Sequence, residues 1–206
     1  MKKKCLISWL CLLAVLSMSR TVEAGDPEIG RPAPAINATD TRGKDVSLEQ
    51  WRGSYVVLEW TNPDCPFVRK HYNSGNMQSL QREYVRKKVV WLTVCSSAEG
   101  KQGFYSAAEW NTNIIPVKNI AASAVLLDPL GETGTLYGAK TTPHLFIIDP
   151  KGILIYKGAI DDIASSDPED IPRAKNHVRN ALEEALSGKK VSVSATQPYG
   201  CSVKYR

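Results

Sequence analysis

The sequence predicts an α/β fold, a three-layer α/β/α sandwich around a mixed central sheet, and three observations carry that expectation. Short runs rich in β-branched and aromatic residues alternate with runs of helical apolar spacing. One strand–helix–strand passage closes within about forty residues, the length of a right-handed parallel crossover. Two apolar runs also flank Pro150-Lys151-Gly152, a hairpin signal that adds antiparallel strands.

The 206-residue chain opens with Lys2, Lys3 and Lys4 ahead of an apolar run from Cys5 to Met18, and a Val22-x-Ala24 pair follows. This is the pattern of a secretory signal cleaved near Ala24, giving residues 1–24 as signal. The apolar run falls short of the roughly 20 residues that span a bilayer, so no integral membrane segment is expected after cleavage.

Beyond the linker-like GDPEIGRPAPA, residues 36–48 read as an N-terminal β-hairpin around Arg42-Gly43-Lys44. SYVVLEW (54–60) is a buried strand bounded by Gly53 and Asn62-Pro63, residues 66–87 have helical spacing, and VVWLTVC (89–95) is the next strand. Residues 104–113 read as helix, 123–129 as a short strand and 131–138 as a short helix, ahead of the hairpin at 150–152. The last helix is expected at 172–187, with Asp167 as cap, Pro168 or Pro172 in its first turn and Gly188 beyond its end. One domain, 25–188, is long enough for a full hydrophobic core. Residues 189–206 show no core-forming periodicity and read as a C-terminal tail carrying Cys201.

Removal of the signal lowers the net charge from +5 to +2, since Lys2, Lys3, Lys4, Arg20 and Glu23 leave with it. A surplus that small does not call for nucleic acid or an anionic membrane as partner. The histidines and cysteines lack metal-ligand spacing, so no metal and no cofactor are expected. The acidic run at 161–170 lacks the spacing of a calcium loop.

Cys65, Cys95 and Cys201 remain after the signal, and an odd count in an oxidising compartment suits one pair and one buried thiol. Pro66 at the first helical position makes Cys65 the N-cap, where the helix dipole and backbone N–H groups favour the reactive thiolate. Arg69 and Lys70 add positive charge nearby, and Asp64 opposes it. Val68 stands where a Cys-x-x-Cys motif has its second thiol, so resolution must come from elsewhere. Cys95 ends an apolar strand and reads as a small hydrophobe. Cys201, after Pro198 and Gly200 in a polar tail, is free to reach Cys65 and resolve a mixed disulfide or sulfenic acid, the alternative being a static structural disulfide that pins the tail.

APAINATDTRGKDVSLEQWRGSYVVLEWTNPDCPF and TTPHLFIIDPKG resemble the two landmarks of thioredoxin-fold redoxins, the group of peroxiredoxins and exported thiol–disulfide proteins. The resemblance covers roughly residues 27–161. Cys-Pro-Phe followed by His-Tyr, with a late Gly-Cys, is similar to the peroxiredoxin-like, AhpC/TSA-type single-cysteine subgroup. It implies a thioredoxin-like three-layer sandwich, with Pro143 as the cis-proline facing the thiol and Thr142 offering its backbone to a substrate strand. Asn62 stands where peroxiredoxins carry threonine, and residues 104–150 contain no arginine, both departures from a fast peroxidase.

The expected activity is therefore that of an exported thiol–disulfide oxidoreductase or peroxiredoxin-like antioxidant protein. Cys65 is its nucleophile and Cys201 its resolver; Thr142 and Pro143 complete the site, with Pro66, Phe67 and His144 in support. Its partners would be a protein or small-molecule disulfide or peroxide and a thiol reductant, in the periplasm or after secretion. A thiol peroxidase for organic hydroperoxides, and a non-catalytic module binding a peptide or a metal, are the alternatives.

Overall fold

The computed structural model describes residues 25–206, so the expected signal at 1–24 lies outside the described residues. Strands β1 (Asn37–Asp40), β2 (Asp45–Ser47), β3 (Val56–Trp60), β4 (Val90–Cys95) and β5 (Ala124–Leu127) join two later ones, β7 (His144–Ile148) and β8 (Leu154–Gly158), in one seven-stranded sheet. Its order is β2-β1-β5-β4-β3-β7-β8. The parallel pairs β3–β4 and β4–β5 form the centre, and antiparallel β7–β8 and the β1–β2 hairpin form its flanks. The expected mixed α/β sandwich with an N-terminal hairpin is what forms. Two short strands, β6 (Thr141–Thr142) and β9 (Cys201–Ser202), make a second small sheet.

Alternation along the strands divides the core into two layers. Val57, Leu145 and Ile147 face one side, where they meet the helices α1 (Pro66–Asn73), α2 (Asn76–Arg86) and α6 (His177–Leu186) through Val68, Tyr72, Leu80 and Leu182. Val56, Leu58, Trp60 and Phe146 face the other side and pack with Ile36, Leu48 and Tyr137. Each fully buried large apolar side chain in these layers contributes about 2 kcal/mol relative to exposure.

Three boundaries differ from the sequence expectation. The helix expected over 66–87 is two helices, because Gly75 adopts φ +76°, outside the helical region, while Ser74 Oγ turns back to the Lys70 carbonyl at 2.7 Å. The helix expected from 172 starts five residues later: Asp167 caps a 3₁₀ segment, Pro168–Arg173, and Asn176 caps α6 by accepting the Arg179 N–H at 2.8 Å. Pro172 lacks the N–H that an α-helix passing through it would need. The helical segment expected at 104–113 begins at α3 (Ala107–Glu109), under a Ser106–Glu109 capping box, and continues through a π turn, Trp110–Ile114, into α4 (Ile115–Lys118). The short helix α5 (Glu132–Leu136) lies where expected.

Residues 189–206 are held along the domain by specific contacts. The Thr196 N–H donates to the Lys157 carbonyl at 3.1 Å and the Lys157 N–H to the Ser194 carbonyl at 3.0 Å, β9 pairs with β6, Lys204 accepts the Ala98 N–H at 2.8 Å, and the Tyr205 hydroxyl donates to the Ala139 carbonyl at 2.9 Å. Among the described residues, no helix is long and apolar enough to cross a membrane.

Candidate active site

Cys65 follows β3 across a loop shaped by Asn62, whose side-chain oxygen accepts the Asp64 N–H at 2.9 Å. Its backbone is extended (φ −70°, ψ 125°) and Pro66 sits in the first turn of α1, so Cys65 is the N-cap as the Cys-Pro order predicts. The side chain is 0% exposed. Its thiol makes no capping hydrogen bond and instead donates to the Thr142 carbonyl at 3.1 Å. The Thr142–Pro143 peptide bond is cis, as the family resemblance implies.

Thr142 and Cys201 are register partners in the antiparallel β6–β9 ladder, and this pairing sets Cys201 beside Cys65. Both thiols are free, and Cys201 packs against the apolar cluster that contains Cys65. Burial opposes ionisation of Cys65, but hydrogen bonds from the Cys201 thiol, the Thr142 side chain and the Val68 and Cys201 backbone N–H groups outweigh it and lower its pKa. Burial, and then the thiolate at Cys65, push Cys201 up to about 11. The pair therefore carries its first negative charge on Cys65.

Thr142 Oγ1 is buried without a hydrogen-bond partner while Cys65 is a thiol. That hydroxyl is free to donate to the thiolate once it forms. A hydrogen bond to a charged group contributes about 1.5 kcal/mol, close to one pH unit. Thr142→Val should therefore raise the Cys65 pKa by about one unit and slow its reaction at neutral pH about tenfold, with little loss of stability. Thiolate absorbance against pH checks it, in a background lacking Cys95 and Cys201; an unchanged titration would remove the hydroxyl from the account.

Arg69 and Lys70 do not supply the expected positive charge at the sulfur. Arg69 bonds Asp64 at 3.0 Å and the Pro63 carbonyl at 3.2 Å. Lys70 is buried, with its ammonium 3.2 Å from the Ile163 carbonyl and 3.7 Å from Asp161. Hydrogen-bond donors replace those charges in favouring the thiolate.

His144 faces the other layer of the core. Its ring lies 4.4 Å from that of Phe146, Nδ1 accepts the Lys140 N–H at 3.3 Å, and burial lowers its pKa to about 3. It supports the sheet and stays neutral, and its ring does not turn toward the sulfur. Phe67 is half-buried, with the Tyr199 ring of the tail edge-on at 5.9 Å. Pro66 is exposed at the helix start. Cys95 belongs to a separate cluster with Trp110 and Val125; its thiol donates to the Gly103 carbonyl at 3.5 Å, and burial pushes its pKa up.

Two buried polar groups near α1 lie outside the set of site residues that the sequence predicts. Glu59, 0% exposed on β3, accepts hydrogen bonds from Tyr72 (2.7 Å), Trp91 (2.8 Å), Gln81 (2.9 Å) and Thr93 (3.3 Å). Burial outweighs these donors and raises its pKa to about 7. A carboxylate inside the apolar run VVLEW was the available signal. Asp161 is the second: it receives the Ile163 N–H at 3.1 Å and the Tyr199 hydroxyl, and it faces Lys70. Among the described residues, no group of histidine, cysteine and carboxylate side chains is arranged to hold a metal.

A family model described as the AhpC/TSA family matches residues 29–157. No curated protein matches the chain. Among solved structures, a hypothetical protein from Sinorhizobium meliloti 1021 superimposes with a TM-score of 0.73 at 19% identity, covering 88% of this chain and 97% of its own. An uncharacterized conserved protein from Geobacillus kaustophilus does so at 0.73 and 24%, covering 87% and 93%. The thioredoxin domain of a thiol-disulfide oxidoreductase from Bacteroides vulgatus aligns at 0.51 and 20%, covering 72% and 97%. These likenesses concern the fold, which is thioredoxin-like.

Proposed function

The chain belongs to the AhpC/TSA family, a thioredoxin-fold redoxin family, and we propose that it is an exported thiol–disulfide oxidoreductase with Cys65 as nucleophile and Cys201 as resolving cysteine. The register pairing of Cys201 with Thr142, whose carbonyl accepts the Cys65 thiol, carries this reading.

In the first step the Cys65 thiolate attacks one sulfur of a substrate disulfide. A Cys65–substrate S–S bond forms, the original S–S bond breaks, and the other half leaves as a thiolate with the electron pair. Burial and the negative charge of Cys65 hold Cys201 protonated beforehand. Once Cys65 is in a mixed disulfide that charge is gone, so the Cys201 pKa falls and its proton passes to solvent or to the leaving thiolate. The Cys201 thiolate then attacks Cys65, releases the second half of the substrate as a thiol, and closes a Cys65–Cys201 disulfide. A thiol reductant reopens it. Val68 at the fourth position of the motif is consistent with a resolver far along the chain.

A disulfide substrate is favoured over a hydroperoxide because Asn62 stands in place of the peroxiredoxin threonine and residues 104–150 supply no arginine. The lysine-led apolar segment at 1–24 supports export to the periplasm or secretion, where the Cys65–Cys201 disulfide would persist.

Non-reducing peptide mapping by mass spectrometry, after treatment with oxidised glutathione, is the test. The expected product is a Cys65–Cys201 cross-link with Cys95 free. A Cys95–Cys201 pair with Cys65 unpaired would overturn the assignment.

A further inference from the structure

We propose that the Thr141–Thr142 edge, together with a ring slot built by Phe67, Lys70 and Asp161, recognises an extended cysteine-containing peptide with an aromatic residue two places before the cysteine. The chain's own Tyr199-Gly200-Cys201 occupies that site as an internal stand-in. The inference rests on Cys65 as the nucleophile of the proposed function and names the substrate class it takes.

Each residue of the seated segment meets a feature that belongs to the domain. Cys201 and Ser202 add a strand to β6 in antiparallel register, the backbone mode by which an extended peptide joins a sheet edge. Gly200 has φ +131°, and a methyl group there would overlap the Thr142 carbonyl oxygen, so only glycine lies this close to the edge. The Tyr199 ring stands edge-on to Phe67 at 5.9 Å and 5.8 Å from the Lys70 ammonium, while its hydroxyl donates to Asp161.

Two of the slot's side chains are tied to the domain by contacts outside the tail: Lys70 donates to the Ile163 carbonyl at 3.2 Å and Asp161 accepts the Ile163 N–H at 3.1 Å. With Tyr199 seated, they are 0% and 2% exposed. Selectivity ends at the cysteine, since Ser202 points to solvent. Between the anchored Thr196 and Tyr199, the described hydrogen bonds include none to Gln197 or Pro198, so displacing the segment means opening the β6–β9 ladder and releasing the contacts of Val203, Lys204 and Tyr205 beyond it. Seated, the tail covers the buried Cys65. Displaced, it uncovers an edge, a ring slot and a sulfur in the spacing that Tyr-Gly-Cys fits.

The exchange on such a peptide balances simply. The Cys65 thiolate attacks the peptide's cysteine sulfur in a mixed disulfide, the new S–S bond replaces the old one, and the displaced group leaves as a thiolate.

The test uses full-length Cys201→Ser and Tyr199→Ala/Cys201→Ser proteins, with folding checked by circular dichroism. Two peptides serve as probes, Gln-Pro-Tyr-Gly-Cys-Ser and the same sequence with alanine for tyrosine, each with its cysteine in a mixed disulfide with thionitrobenzoate. A small aromatic disulfide without a peptide reports the reactivity of Cys65 alone. The tyrosine peptide should react at least about tenfold faster than the alanine peptide with the double variant, in which it supplies the missing ring. The preference should shrink to within about twofold when Phe67→Ala is added. Equal peptide rates beside a reactive small disulfide, or a preference undiminished by Phe67→Ala, overturn the recognition site and leave Cys65 as nucleophile. An inert small disulfide overturns the nucleophile assignment, and this inference falls with it.

Discussion

Cys65→Ser should abolish disulfide exchange, by at least roughly a thousandfold, while Cys201→Ser should leave the first half-reaction intact and stop the second. The asymmetry follows from the charge order at the site. Burial works against the Cys65 thiolate, yet donors from Cys201, Thr142 and Val68 hold it below the ordinary thiol range, whereas Cys201 is pushed up to about 11. A serine hydroxyl does not ionise under these conditions, so those donors have nothing to stabilise. In Cys201→Ser the protein should release one equivalent of a chromophoric thiol and then stall as a mixed disulfide, visible as an added mass on Cys65. Replacing Cys201 also removes a donor to the thiolate, so the first step slows modestly. Steady turnover of Cys201→Ser at the wild-type rate would mean that resolution comes from outside the chain.

Glu59→Gln should become more stable relative to wild type as the pH rises, by about 3 kcal/mol between pH 4.5 and pH 7.5. Burial raises the Glu59 pKa from 4.5 in an ordinary environment to about 7 in the folded protein. The folded state therefore binds the proton more tightly than the unfolded one. The resulting stabilisation is fully present below pH 4.5 and is lost as the pH climbs through 7.

His71 and His144 act in the opposite sense, since burial lowers both from 6.5 to about 3. Their contribution is present above pH 6.5 and is lost as acid charges them. Because both variants share these histidines, the difference between urea unfolding curves at each pH isolates Glu59. Glutamine keeps the shape and can still accept from Trp91 and Gln81, so the network survives without the charge. A difference in stability that does not vary with pH would show that Glu59 is not held protonated.

The legible parts of this protein are those that depend on near neighbours in the chain. The continuous β-branched and aromatic run SYVVLEW, bounded by Gly53 and Asn62-Pro63, located β3, and the Cys-Pro order placed Cys65 at the start of α1. The Pro150-Lys151-Gly152 turn gave the β7–β8 hairpin. The errors are also local in origin. Gly75 sits within a run whose apolar spacing stays helical on both sides, so periodicity alone passed over the break. Pro172 suited a first-turn position on paper, but Asn176 offered the better cap for an α-helix.

The sequence by itself determined the alternating strand–helix order, the solitary thiol at a helix N-terminus and the lack of a second thiol within its own motif. Each of these follows from spacing or composition over a few residues. Tertiary structure alone decided what surrounds the sulfur. The carbonyl that accepts from Cys65 lies 77 residues away, and the ladder that brings Cys201 to it joins Thr142 to a residue 59 positions further on. The tail has no apolar period of its own to predict a strand; it becomes one because β6 offers an open edge, and Phe67, Lys70 and Asp161 hold Tyr199 beside it. Hydrogen bonding and desolvation act over a few ångströms in space, and chain order does not state those distances until the sheet has formed.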